Sequence, residues 1–138
     1  MTYTVSALTK VSECETLIAN AQKEKSALEY RKTGLERQHD HLTDTSEEVA
    51  NQLDEVVSRL TQLEAQIPTM AEGQDKKDAL YEQAQLVLTR MDLERKQEKK
   101  GAIRIIDQEA DLERVIHGIA TMDEVISQVT ARKAELTA

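Results

Sequence analysis

The side chains with the most chemical capacity lie near the middle of the chain. Glu36 and His39 have the Glu-x-x-His spacing that places a carboxylate and an imidazole on one face of a helix. Glu94 and Glu98 add carboxylates farther along the chain. If two copies paired into a four-helix bundle, these residues would supply the ligand set of a di-iron or di-manganese carboxylate site.

The residues around this candidate metal site favour a structural role. Lys32 brings positive charge one helical turn before Glu36, and Glu36 is not at a heptad core position. His41 follows His39 by two residues, so the two imidazoles point to different sides of a helix. We therefore interpret these polar residues as layers that align two helices, and we assign no metal ligand, cofactor or catalytic residue.

The remaining patterns do not indicate an enzyme or a nucleic-acid ligand. Cys14 is the only cysteine and lies at a core position, where a thiol acts as a small apolar side chain. The basic residues from Arg90 to Arg104 surround Asp92, Glu94 and Glu98, and a net charge of −8 disfavours binding to phosphates. There is no glycine-rich phosphate loop and no strand-turn-helix setting for a nucleophile.

The composition is typical of long helices. Charged residues make up 32% of the 138 residues, and the chain has one Pro, four Gly and neither Phe nor Trp. Residues 1–10 do not resemble a signal peptide, and no stretch approaches the roughly 18 apolar residues that a membrane span needs. We expect a cytoplasmic chain that does not bind membranes.

Heptad repeats run along both halves of the chain and predict an all-α, antiparallel two-helix coiled-coil hairpin. In the first half every d residue is apolar. The first-half core positions are Val11, Cys14, Ile18, Ala21, Lys25, Leu28, Lys32, Leu35, His39, Leu42, Ser46, Val49, Leu53, Val56, Leu60, Leu63, Ile67 and Met70. The second-half core positions are Leu80, Ala84, Val87, Met91, Glu94, Glu98, Gly101, Ile105, Gln108, Leu112, Val115, Ile119, Met122, Ile126, Val129, Lys133 and Leu136.

The segment 67–73 is the only one that combines a proline and a glycine, Pro68 and Gly73. Pro68 disfavours a helical conformation at Ile67, and Gly73 allows a tight reversal. The sequence therefore predicts a single domain over 1–138, with helices over 3–66 and 74–137 joined by a turn over 67–73.

A turn centred on Met70 predicts the alignment of the two helices. Facing residue numbers would then add up to 140, which places Lys32 against Gln108 and His39 against Gly101. Apolar residues meet apolar ones at both ends. A slip by one heptad, to 147, would set Lys32 against Val115, so the polar layers are expected to fix the alignment.

A shorter three- or four-helix bundle is the alternative architecture. Gly34 is unfavourable inside a helix, and the segment 45–48 has the sequence of a capping box that could start a new helix. We favour a continuous first helix because its apolar d residues keep strict seven-residue spacing through this region.

Several apolar residues lie outside the predicted seam, where a lone two-helix coil would leave them in water. The residues predicted to bind a partner are Val57, Tyr81, Leu88, Ile103, Ile106 and Ile116. We expect another helix to cover them, either from a protein partner or from a second copy in a homodimeric four-helix bundle.

The function predicted from these features is that of a non-enzymatic coiled-coil interaction protein, a spacer or scaffold. The alternative is a helical hairpin of the chaperone, export-stalk or ATPase-stalk type, an analogy of architecture alone. A third hypothesis is the dimeric metal-carboxylate bundle, which metal analysis of the purified protein would reveal.

Overall fold

Three α-helices account for most of the chain in a computed structural model that describes residues 1–138. Helix α1 spans Val11–Gln66, α2 spans Gln74–Lys99 and α3 spans Ala102–Thr137. Short 3-10 turns occupy Val5–Ala7 and Ile67–Thr69, and there is no strand. The chain folds as an all-α helical hairpin, which confirms the predicted fold class.

The packing divides into two compact units. The terminal unit contains residues 1–39 and 107–138, and the turn unit contains residues 40–106. Helices α1 and α3 each contribute to both units.

Helix α1 runs without a break over 56 residues, so the shorter-bundle alternative is wrong. Every core position predicted for α1, and the two in the turn after it, is buried or half-buried. In the suspected capping box, the Thr45 hydroxyl instead donates to the His41 carbonyl oxygen at 2.7 Å. That bond is typical of a threonine inside a helix, which explains why no new helix starts there.

The first helix begins at Val11, eight residues later than predicted. The Lys10 amide donates to the Glu13 carboxylate at 3.1 Å, one half of a capping box. Upstream, Arg132 donates from Nε and Nη2 to the Leu8 carbonyl oxygen at 3.1 and 3.0 Å. These bonds satisfy the backbone outside a helix, so residues 3–10 need not join α1.

The second predicted helix, 74–137, is interrupted between Lys99 and Ala102. A Cβ atom added at Gly101 would lie 2.7 Å from the Gln97 carbonyl oxygen, too close for any other residue without a backbone shift. The Gly101 carbonyl oxygen then accepts the Ile105 amide at 3.2 Å at the start of α3. The φ of Gly101 is not positive, so the break uses the missing side chain for space rather than for a left-handed cap.

Polar side-chain pairs in the terminal unit contradict the predicted alignment. Their residue numbers, 15 with 133, 25 with 123 and 39 with 109, each add up to 148. Each pair joins an a residue to the residue after a d position on the other helix. The facing a and d residues therefore add up to 147, one heptad beyond the predicted 140.

The turn unit shows the same displacement. Ile67 shares a cluster with Ala79, and Leu60 and Leu53 share one with Leu86 and Leu93, pairs whose numbers each add up to 146. Ile67 stays buried beyond the end of α1, and the chain reverses only at Gly73, where φ is 158°. The reversal is thus centred on Gly73 rather than Met70, and the later centre moves the alignment by about one heptad.

Candidate docking surface

Helix α2 packs against α1 through residues one position earlier than predicted. Ala79 and Leu93 are buried, and Leu86 packs against the same apolar clusters. We call Ala79, Leu86 and Leu93 the inner seam. They share apolar clusters with Val49, Val56, Leu60 and Leu63 of α1 and with Ile67 in the turn that follows it.

One flank of the turn unit is closed by a two-point ion pair. Arg59 donates from Nε and Nη2 to the two carboxylate oxygens of Glu82 at 2.7 and 3.0 Å. The hydrogen bonds from Arg59 hold the pKa of Glu82 below its ordinary value of 4.5. The same bonds raise the pKa of Arg59.

The opposite flank is apolar. Val57 and Leu80 lie two residues before Arg59 and Glu82, which places them about 200° away around their helices. Val57 is 44% exposed and Leu80 is 45% exposed. The turn unit therefore has one polar, ion-paired flank and one apolar flank.

A second heptad seam on α2 extends this apolar flank. Its residues are Leu80, Ala84, Val87 and Met91, which the sequence pattern placed in the core of the hairpin. That placement is wrong for three of them, because Leu80, Ala84 and Met91 are exposed and only Val87 packs partly against the core. We call these four residues the outer seam.

Tyr81 and Leu88 lie beside the outer seam and are 68% and 58% exposed. Together with Val57, Leu80, Ala84 and Met91 they form the apolar flank. Apart from the Tyr81 hydroxyl, these side chains end in hydrocarbon or thioether groups, so the surface is suited to apolar contact.

All six residues predicted to bind a partner are exposed in the structure. Val57, Tyr81 and Leu88 belong to the apolar flank. Ile103 and Ile106 lie in the first turns of α3, also within the turn unit, whereas Ile116 belongs to the terminal unit.

The sequence pattern missed Leu80 and Met91 as surface residues. The sequence did contain a signal, because the inner seam also has seven-residue spacing. At the next step that spacing reaches the apolar Leu93, whereas the predicted seam reaches Glu94. An apolar residue at that step would have favoured the inner seam as the buried one.

Three of the side chains considered for metal binding, those of Glu36, His39 and Glu94, lie within 4 Å of other polar side chains. Lys32 Nζ lies 3.7 Å from the Glu36 carboxylate, and Arg90 Nε lies 3.8 Å from that of Glu94. His39 Nε2 lies 3.1 Å from Glu109 Oε1. No three His, Cys, Asp or Glu side chains gather into a group that could hold a metal ion.

Comparison with protein-family models, curated proteins and solved structures finds no match to this chain. None of the helices combines the length and apolar content that crossing a bilayer requires. The surface of the chain is therefore the basis for inferring its function.

Proposed function

We propose that this chain is a non-enzymatic coiled-coil interaction protein that holds another helix against its apolar flank. The observation that carries the proposal is the outer seam, a heptad stripe on α2 whose Leu80 and Met91 each remain 45% exposed. Helices recognise such stripes by laying their own apolar face against residues spaced three and four apart.

The energetics of the flank support docking rather than chance exposure. Covering a large apolar side chain contributes up to about 1.5 to 3 kcal/mol, and less where the side chain is already half-buried. Leu80, Tyr81, Leu88 and Met91 lie on one helix within three turns, so a single partner helix can cover them together.

Charged residues frame the flank along α2. Lys77 lies one turn before Leu80, and Glu94 and Arg95 lie one turn after Met91. An apolar centre with a charged rim is the usual layout of a protein–protein interface, in which the rim selects the partner and its orientation. This layout supports a scaffold role in which the hairpin holds the docking face in place.

Photo-crosslinking tests the proposal with a matched pair of tyrosines. A photoreactive phenylalanine analogue replaces Tyr81 on the flank or Tyr30 in the terminal unit, which are 68% and 85% exposed. Illumination in the native cells should give a discrete adduct from position 81 and none of that mass from position 30. No adduct at 81, or the same adducts at both positions, would contradict a docking function for this face.

A further inference from the structure

We propose that the helix docked on the outer seam is α2 of a second copy of the chain, lying antiparallel to the first. This inference rests on the proposed function, since it identifies the occupant of the same surface. A helix with two heptad seams one residue apart presents two faces about 100° apart, so it can pack against two other helices at once. Helix α1 fills the inner seam, and the outer seam is available to the second copy.

The spacing along the outer seam is symmetric. Leu80, Ala84, Val87 and Met91 follow one another at intervals of four, three and four residues, which read the same from either end. Consider an antiparallel pair of identical helices whose facing residue numbers add up to 171. Leu80 of each copy then faces Met91 of the other, and Ala84 of each copy faces Val87 of the other. The seam therefore fits a two-fold axis between Gln85 and Leu86, the geometry of an isologous dimer.

The charges next to the seam select the antiparallel direction. Lys77 and Glu94 are exposed and also add up to 171, so each lysine faces a glutamate of the other copy. A parallel pair would instead place Lys77 beside Lys77 and Glu94 beside Glu94. Opposite charges flanking a heptad seam stabilise one orientation and penalise the other.

The chain exposes more surface than a compact monomer of its mass, and a second copy can cover part of that excess. The chain exposes 9802 Å². A compact monomer of 15.6 kDa is expected to expose about 7,200 Å², so the excess is on the order of 2,500 Å². Stable homodimers bury from about 1,000 to more than 2,500 Å² on each partner.

Sedimentation equilibrium of the full chain tests the dimer. At about 50 µM the wild type should sediment as a dimer, twice the 15.6 kDa of one chain. Leu80→Lys with Met91→Lys should give a monomer that keeps its helical circular dichroism, whereas Tyr30→Lys should leave the dimer intact. A monomeric wild type overturns the inference, as does a dimer that survives the seam double variant but dissociates with Ile106→Lys and Ile116→Lys.

Charge reversal tests the orientation and does not depend on the folding of the lysine variants. Lys77→Glu or Glu94→Lys alone should weaken dimerisation by roughly three- to tenfold, because each removes two opposite-charge pairs and creates two like-charge pairs. The combined variant should return to within about twofold of the wild type. A combined variant as weak as the single ones would overturn the antiparallel pairing.

The identity of the position-81 adduct separates the two proposals. An adduct between two copies of this chain supports both. An adduct with a different protein, together with a monomeric wild type, would retain the docking function and overturn self-pairing.

Discussion

Gly34 and Gly101 show how differently one residue type behaves in a helical chain. Gly34 lies inside α1, and a Cβ atom there would meet nothing within 4 Å. Alanine has the higher helix propensity, so we predict that Gly34→Ala raises the free energy of unfolding by about 0.5 to 1 kcal/mol. Urea denaturation followed by circular dichroism measures this as a higher midpoint at unchanged slope.

Gly101→Ala is the matched control, the same chemical change at the break between α2 and α3. Its new Cβ atom would lie 2.7 Å from the Gln97 carbonyl oxygen, so the backbone must shift. The same denaturation should show a loss of roughly 1 to 3 kcal/mol. If both variants were stabilised, the break at Gly101 would not depend on the missing side chain.

Because of the Arg59–Glu82 ion pair, we expect the stability of the fold to depend on pH in the acidic range. The hydrogen bonds from Arg59 lower the pKa of Glu82 from 4.5 in the folded state, so the unfolded state takes up the proton first. The contribution of the pair is complete above pH 4.5 and is lost as the pH falls through the lower pKa of the folded state. We predict that the melting temperature falls more between pH 6 and pH 3 in the wild type than in Glu82→Gln.

Arg59→Gln provides the reciprocal check, because it removes the partner while keeping the carboxylate. Its melting temperature should show the same shallower acid dependence as that of Glu82→Gln. Equal slopes for the wild type and both variants would mean that the ion pair does not contribute to stability in solution.

Among the structural elements, the segment before α1 depends on contacts with α3. The Tyr3 amide donates to Gln128 Oε1 at 2.9 Å, and Arg132 donates twice to the Leu8 carbonyl oxygen. Net hydrogen-bond contributions of about 1 kcal/mol correspond to roughly fivefold in the opening equilibrium. We predict that Arg132→Ala raises amide hydrogen exchange over residues 3–8 by about that factor, measured by NMR.

Arg114→Ala is the control for this segment. Arg114 pairs at 2.7 Å with Asp111 on its own helix rather than with the segment. Its removal should leave exchange over residues 3–8 unchanged. Equal acceleration in both variants would show that a general loosening of α3, not the Leu8 contact, governs the segment.

The helices differ in how far the sequence could predict them. For α1 the heptad pattern was sufficient to identify the buried face, because apolar d residues repeat without a competing phase from Cys14 to Leu63. For α2 the pattern contains two apolar phases one residue apart. Which of them faces α1 depends on where the chain reverses, a tertiary constraint that periodicity does not contain.

The break at Gly101 coincides with a local helix-end sequence that the heptad pattern does not reveal. Lys99, Lys100 and Gly101 together form a common helix end, although Gly101 also fits a d position of the repeat. The break occupies Lys100 and Gly101, between the end of α2 at Lys99 and the start of α3 at Ala102.

Across the whole molecule, the position of the reversal decides which residues face each other. Heptads permit several alignments seven residues apart, and the polar residues were expected to select 140. In the 147 alignment Lys32 faces Val115 by number, and its ammonium lies 3.7 Å from the Glu36 carboxylate on its own helix and remains partly exposed. A long lysine side chain can satisfy its charge at the edge of a seam, so a polar a residue does not require a polar facing residue.

The alignment of the terminal unit can be measured with two spin-label pairs that share one site. Tyr30, His117 and Ala110 are exposed and occupy equivalent outer heptad positions. Numbers 30 and 117 add up to 147, whereas 30 and 110 add up to 140, and the two alignments differ by about 10 Å along the helix axis. We predict the shorter distance for 30 with 117 by pulsed electron paramagnetic resonance.

Cysteines introduced at these positions carry the labels, and the native Cys14 does not compete because it is 0% exposed. Dilution with unlabelled chain keeps distances between copies out of the measurement. The test compares the 30–117 distance with the 30–110 distance, so an error in label geometry that is common to both pairs cancels. A shorter distance for 30 with 110 would restore the alignment centred on Met70 and, in the terminal unit, would separate Lys25 from Asp123 and His39 from Glu109.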